Sequence, residues 1–469
     1  MPAVVTALIF NGICYAEEPV FQLKKCTSLP QPTQMHGAAV VGNRLYVFGG
    51  EVIPEAWSDK AYSAVIATDG SLGQWKPERT MPDRRSYISQ AVEVSNNRIY
   101  ICAGSVAPEA NSPEGATKSS QDVLWTSVKP DGTLDEWKTS VPFPGHAVLS
   151  AATASNDTHL FITGGSGNMQ PRDSVNVATF GPDGAPTNWK EGRKLPIGLW
   201  FHGAAIMDDG LYVWGGLPQR ENKVLNKNVY RAVVAKDGTL GEWKVVGSQD
   251  TPVYSAAFSG INDFLLSVGG RYTVGYTTAA IWYSNLQDGM PQTFQVLQSN
   301  LEARLYHAVG LDKTQGLVYI TGGRFRPGLD INVGRVLDTV QAFRIPQSGT
   351  ANSSGVPQGD FKKLNAALAE ARQNGKRVLV VFHSPQVPAT LRLWSTVLNT
   401  SQFKELAKDY ILAELDVSGP DAHISYEYSI YKVPSMAILD GSGKLLDKTT
   451  FVRTWEDTKT FLDKQPANL

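Results

Sequence analysis

Arg44-Leu45-Tyr46-Val47-Phe48-Gly49-Gly50 is an apolar run of strand length that stops at two glycines, and the chain repeats it five more times. The later copies are Arg98-Ile99-Tyr100-Ile101-Cys102-Ala103-Gly104, His159-Leu160-Phe161-Ile162-Thr163-Gly164-Gly165 and Leu211-Tyr212-Val213-Trp214-Gly215-Gly216. Phe264-Leu265-Leu266-Ser267-Val268-Gly269-Gly270 and Leu317-Val318-Tyr319-Ile320-Thr321-Gly322-Gly323 complete the set. The closing glycines recur roughly every 50–60 residues, and each unit has room for four short strands. That is the period of a propeller blade.

The second half of each unit repeats as well. Further apolar strands are predicted over 61–67, 123–128, 176–180, 229–234, 279–284 and 340–345. The first five are followed by Asp69-Gly70, Asp131-Gly132, Asp183-Gly184, Asp237-Gly238 and Asp288-Gly289, each a tight hairpin turn. Trp75, Trp137, Trp189 and Trp243 open the fourth strands, with Phe294 in their place in the fifth. Packing between neighbouring blades is the role expected of these rings.

The sixth unit stops at Ile345 without a fourth strand, whereas Phe21 to Pro30 matches the outer segments of other units. The N-terminus is therefore expected to close the ring. Closure removes exposed strand edges and predicts a monomer. With Gly-Gly after an apolar strand and a Trp downstream, residues 20–346 resemble Kelch-repeat propellers. The resemblance implies the fold, an all-β six-bladed ring, and is nearly silent on activity.

Composition narrows the function classes. The 469 residues carry 43 Lys+Arg against 44 Asp+Glu, a net charge of −1, which removes the electrostatic term behind nucleic-acid binding. No run of about 20 apolar residues spans a membrane. Three cysteines cannot form a multi-cysteine zinc site, and no metal or cofactor is expected. The apolar stretch 3–13, followed by Cys14-Tyr15-Ala16, reads as a secretory signal over residues 1–16, which places the protein outside the cytoplasm, secreted or periplasmic. A basic leading segment is missing, which leaves a plain apolar N-terminus as the alternative.

Residues 17–346 form the propeller unit, and 347–357, rich in Ser, Gly and Asn, read as a flexible linker. Residues 358–469 change character. Phe361, Leu364, Leu368 and Ala371 share a helical face that Gly375 ends. Strands are expected over 377–383, 411–417, 436–440 and 444–447, with helices over 402–410 and from Trp455. Val378-Leu379-Val380-Val381-Phe382, Leu415-Asp416-Val417, Val433-Pro434 and Asp440-Gly441-Ser442-Gly443-Lys444 resemble a thioredoxin-like domain, an α/β fold. Where that family carries its Cys-x-x-Cys pair, this chain has Val387 and Thr390, and Val381 stands at the family's buried carboxylate. Without a thiolate there is no thiol–disulfide exchange, so the resemblance implies a redox-inactive module. Pro434 matches the family's cis proline. It serves either as a turn device or as part of a peptide-pairing edge at Val433.

Strand order gathers the residues after the Gly-Gly pairs and those before the first strands at one mouth of the channel. These residues are His36, Glu51, Arg84, Arg85, His146, His202, Arg220, Arg271, Arg304, His307, Arg324 and Arg326. Read functionally, this rim binds a protein or glycan ligand that is anionic or polyhydroxylated. Read structurally, the same side chains lock blades together. Arg304-Leu305-Tyr306-His307 is similar to the Tyr-His pair of copper propeller oxidases, but the rest of that ligand set is missing. The alternative to a binding scaffold is a sugar isomerase or mutarotase in the channel, with Glu51 and His36 or His307 as acid and base.

Overall fold

The computed structural model describes residues 23–345 except 54–55, 108–117, 219–223, 273–276, 298 and 327–333. It also describes 361–464 except 384–389, 391–392, 418–423, 431–432, 451 and 453. The expected signal segment and linker lie outside the described residues.

Among the described residues, the first unit folds into six up-and-down antiparallel blade sheets, five of four strands and one, blade 5, of five, its outer edge split between Met290–Pro291 and Gln295–Leu297. The innermost strands are Gly37–Val41, Val92–Ser95, Ala152–Ser155, Gly203–Met207, Ala257–Ile261 and Ala308–Asp312. Each touches the next, and the sixth touches the first, so the blades close a ring around a channel. The outer strand of blade 6 comes from the N-terminus. Lys24–Cys26 pairs antiparallel with Val340–Arg344, Lys24 opposite Ala342 and Cys26 opposite Val340.

Repetition in sequence becomes repetition in contacts. The second-strand tyrosines donate their hydroxyls to the Asp-Gly turn of the next blade: Tyr46 to Gly132 O (2.7 Å), Tyr100 to Gly184 O (2.9 Å), Tyr212 to Gly289 O (2.8 Å) and Tyr319 to Gly70 O (3.0 Å). Those glycines have positive φ, from 70° to 88°, which lets the turn approach so closely. Trp75, Trp137 and Trp243 donate Nε1 to the carbonyls of Thr27, Arg79 and Arg193 on the preceding blade. The tryptophans do sit between blades.

The second unit is a five-stranded mixed sheet. Its strand order is Lys362–Lys363, Tyr410–Asp416, Arg377–His383, Ser435–Leu439 and Leu445–Thr449, with the first three parallel. Helix Leu364–Asn374 buries Leu364, Ala367, Leu368 and Ala371, and Gly375 ends it at φ 72°. Two expectations are corrected. The helix expected over 402–410 is shorter, Ser401–Leu406, because Tyr410 is drawn into the sheet opposite Arg377. The last strand runs Leu445–Thr449 rather than 444–447, continuing its pairing up to Thr449 opposite Met436.

Candidate ligand site at the propeller mouth

One residue per blade, just before the inner strand, lies in the left-handed region. These are Met35 (φ 54°), Tyr87 (61°), Ser150 (50°), Phe201 (52°), Ser255 (52°) and Tyr306 (57°). None is glycine, so each carries a strain of about 1–2 kcal/mol. A circle of backbone hydrogen bonds holds them. Met35 N–H donates to Tyr306 O (2.7 Å), Tyr306 to Ser255 O (3.0 Å), Ser255 to Phe201 O (3.4 Å), Phe201 to Ser150 O (3.1 Å) and Ser150 to Tyr87 O (3.2 Å). Ile88 N–H closes the circle on Met35 O (3.2 Å). At about 1 kcal/mol net per bond, the circle is of the size needed to offset the strain.

This circle floors the mouth with aromatic rings. Phe201 lies 5.6 Å from Tyr306, 6.4 Å from Tyr87, 6.4 Å from Tyr254 and 4.9 Å from Trp200 between centroids, and Trp57 stands 6.2 Å from Tyr87. Above the floor, the residue after each Gly-Gly pairs with the residue before each strained position. Going round the ring these are Glu51, Ser105, Ser166, Leu217, Arg271 and Arg324. At this position charge falls on three consecutive blades, the fifth, sixth and first.

Arg326 extends the cationic side. Its backbone N–H and C=O bond the Thr277 hydroxyl (3.3 and 2.9 Å), which ties blade 6 to blade 5. Burial, with the charges of Arg324 and Arg271, holds its guanidinium below the ordinary arginine value. Arg271 lies over the Tyr254 ring at 6.0 Å. The Nε atoms of Arg271 and Arg326 are buried with no hydrogen-bond partner among the described residues. Burial pushes the Tyr254 hydroxyl up to about 12 and raises that of Tyr87, whose neighbours are Glu51, Tyr306 and Arg326. Both phenols stay neutral donors.

The other rim residues behave differently. Arg85 and Arg304 are wholly buried and latch their own blades. Arg85 donates to Ala103 O (2.9 Å), Asp122 (2.8 Å) and Asp83 (2.7 Å), while Arg304 donates to Gly322 O (3.0 Å), the Thr339 hydroxyl (3.0 Å) and Gln341 (2.9 Å). His36 and His202 are buried against the preceding blade, Nε2 2.8 Å from Thr321 Oγ1 and 2.9 Å from Thr163 Oγ1. Each hydroxyl spends its own proton on a carbonyl, Ala308 O and Ala152 O, so each imidazole is the donor. Burial lowers both histidines to about 3, with Arg304 adding to the effect at His36. His307, also buried, meets Val268 where the other two meet threonine. Neither His36 nor His307 is placed to act on a ligand with Glu51.

Glu51 is buried beneath the rim and accepts from Gln34 Nε2 (2.8 Å) and the Ser86 hydroxyl (3.4 Å). Arg84 is half-buried. His146 is exposed and lines a separate cleft of about 560 Å³ with Lys118 and Arg172. Arg220 lies outside the described residues. The floor rings Trp57, Tyr87, Phe201 and Tyr254 were not singled out by sequence reasoning. For Tyr87 and Phe201 the signal is a fixed position across the repeats, the one that precedes His36, His202 and His307 in their blades, whereas Trp57 and Tyr254 lie outside that position.

In the second unit Val387 lies outside the described residues, and Thr390 is buried. Val433 and Pro434 are buried, and their peptide bond is cis. Val381 is core, but a carboxylate stands on the neighbouring strand. Glu414 accepts from Lys363 Nζ (2.7 Å) and pairs with His383 Nε2 (2.5 Å), whose ring packs 4.9 Å from Trp394. Burial alone would raise Glu414, yet His383 and Lys363 bring it down to about 2. Among the described residues no group of acidic, Cys and His side chains is arranged to hold a metal, and no helix is long and apolar enough to cross a membrane.

Comparison with known proteins agrees with this architecture. The thioredoxin-like family matches residues 360–441. The Kelch-like protein terF of Aspergillus terreus is 27% identical over 249 residues, 51% of this chain and 50% of that one. Beta-scruin of Limulus polyphemus is 26% identical over 51% of this chain and 25% of its own length. The N-acetylneuraminate epimerase of Pasteurella multocida is 23% identical over 52% of this chain and 75% of its own. The chain thus spans half or less of the first two of these relatives. The solved structure of YjhT aligns with TM-score 0.50 and 15% identity, covering 67% of this chain and 96% of that one. The chain is a Kelch-type propeller followed by a thioredoxin-like domain.

Proposed function

We propose that the propeller mouth is a recognition site for an anionic ligand that also offers an apolar or ring face, carried by a protein or a glycan. The observation that carries this reading is the pair of half-buried arginines, Arg271 and Arg326, whose Nε atoms are buried beside the aromatic floor with no hydrogen-bond partner among the described residues. An arginine fork accepts a carboxylate bidentately, and the partly desolvated setting strengthens that contact. The thioredoxin-like domain, which has no cysteine, acts as a non-redox accessory module. A monomeric ring in an extracytoplasmic setting completes the proposal. It rests on the apolar stretch 3–13, and the mature N-terminus read by mass spectrometry tests it.

A second reading is favoured by the likeness to an N-acetylneuraminate epimerase. That substrate is a sugar acid, which fits a cationic and aromatic mouth, and would make the site catalytic. Titration calorimetry with N-acetylneuraminate and with an Asp/Glu-rich peptide tests both. Binding of either, weakened about tenfold or more by Arg326→Met, supports recognition at this mouth. Interconversion of the sugar by the unaltered chain, followed by NMR, moves the assignment to the enzyme. No binding of either probe removes the proposal.

A further inference from the structure

The channel has a second chamber, of about 310 Å³, at the end away from the mouth. Its lining runs along the inner strands to the hairpin turns at Gly42 and Lys313-Thr314, so it opens on the opposite face of the ring. Gln90 separates it from the aromatic floor and lines both spaces.

Polar and apolar walls alternate around the chamber. On blades 2 and 3, Glu93 accepts hydrogen bonds from Thr153 Oγ1 (3.2 Å) and Ser155 Oγ (2.9 Å). A carboxylate has about four lone-pair positions, so two hydroxyls leave half of its capacity for a ligand. Across the space Ser259, 6% exposed, has a buried hydroxyl with no partner among the described residues. Blades 1 and 4, which also face each other, supply plain aliphatic walls that include Ala39 and Ala205. Lys313, exposed on its turn, lines the chamber as well; burial raises the Glu93 carboxyl and the Lys313 charge opposes that.

We infer that this chamber binds a small neutral polyhydroxylated molecule, a free monosaccharide in class. The lining carries charges of both signs, Glu93 and Asp312 against Lys313, and Asp312 is taken up by Gln315, so neither an anion nor an ammonium is singled out and a neutral ligand fits. Such a ligand needs hydroxyls at opposite edges, for Glu93 and Ser259, and C–H faces between them for Ala39 and Ala205. A pyranose has both, and the volume is at the small end of the usual ligand-pocket range. The assignment is independent of the mouth, since Gln90 stands between the two.

The test is saturation-transfer NMR and calorimetry on the full chain with D-glucose, D-galactose and N-acetyl-D-glucosamine as probes. At least one is expected to bind, and Glu93→Gln is expected to weaken it roughly tenfold or more, because a charged acceptor is lost. If Glu93→Gln fails to fold, Ser259→Ala serves instead, with several-fold weakening expected, because the hydroxyl that meets the sugar is lost. Absence of binding by all three sugars overturns the assignment. So does binding that these substitutions leave unchanged, which would place the sugar elsewhere.

Discussion

Gln90 and Phe258 join opposite sides of the propeller. The side-chain oxygen of Gln90, on blade 2, accepts the backbone N–H of Phe258, on blade 5, at 3.0 Å across the channel axis. The Gln90 carbonyl is also held, by Thr153 N–H at 3.0 Å. One side chain thus ties blades that are three apart in the ring and divides the channel into a mouth and a chamber.

Gln90→Ala is expected to destabilise the propeller by about 1–2 kcal/mol, because the Phe258 N–H is left without its acceptor. Urea denaturation measures this. A cost near zero would mean that the contact does not bind the two halves of the ring.

Acid should unfold the propeller through its buried histidines. His36 and His202 are lowered to about 3 by burial, below an unfolded value near 6.5, so the unfolded chain takes up their protons first. Their contribution is fully present above pH 6.5 and is lost as pH falls towards 3, at roughly 1.4 kcal/mol per pH unit for each. The incoming proton would land on Nδ1, which has no partner in either ring among the described residues. His36→Gln and His202→Gln together should flatten the stability-versus-pH curve between pH 4 and 6. An unchanged slope would assign the acid sensitivity elsewhere.

The blades were legible in sequence because each is local. Gly-Gly after an apolar strand, Asp-Gly turns and spaced tryptophans all report contacts within a unit or with the next one. The mouth was half legible. Strand order placed Arg85, Arg304, His36 and His307 at the correct end, yet not which way they face. That depends on offset from the strained residue of each blade. Two positions before it, Arg85 and Arg304 turn into their own blade. One position after it, His36, His202 and His307 turn into the preceding blade. Within this stretch the strained residue itself, Tyr87, Phe201 or Tyr306, turns to the opening, and its backbone conformation is imposed by the ring. Glu414 escaped for a related reason, since its partner His383 lies on another strand.

Val268→Thr is expected to stabilise the chain by about 1 kcal/mol. In blades 3 and 6 the equivalent Thr163 and Thr321 donate to the carbonyl of the paired inner-strand residue and accept from a histidine. Val268 pairs with Ala257 in the same register and faces His307, so a threonine there can make both bonds. The shape is nearly unchanged, which leaves the hydroxyl as the variable. A loss of stability by thermal denaturation would show that His307 does not offer a donor in that direction.

Ser150→Gly and Ser255→Gly should each raise stability, against the usual effect of placing glycine in a folded chain. Both serines are held at φ near 50° and both hydroxyls are buried without a partner among the described residues. Glycine removes a strain of about 1–2 kcal/mol and an unmet hydroxyl worth a similar amount, against about 0.5–1 kcal/mol of extra chain entropy. Phe201→Gly relieves the same strain but deletes the ring at the centre of the aromatic floor, and should destabilise by several kcal/mol. If the serines are retained because their hydroxyls meet a ligand in the mouth, the glycine variants will be more stable and bind it more weakly. Equal or lower melting temperatures for both serine variants would show that the circle of backbone bonds, rather than the side chains, sets the conformation at no cost.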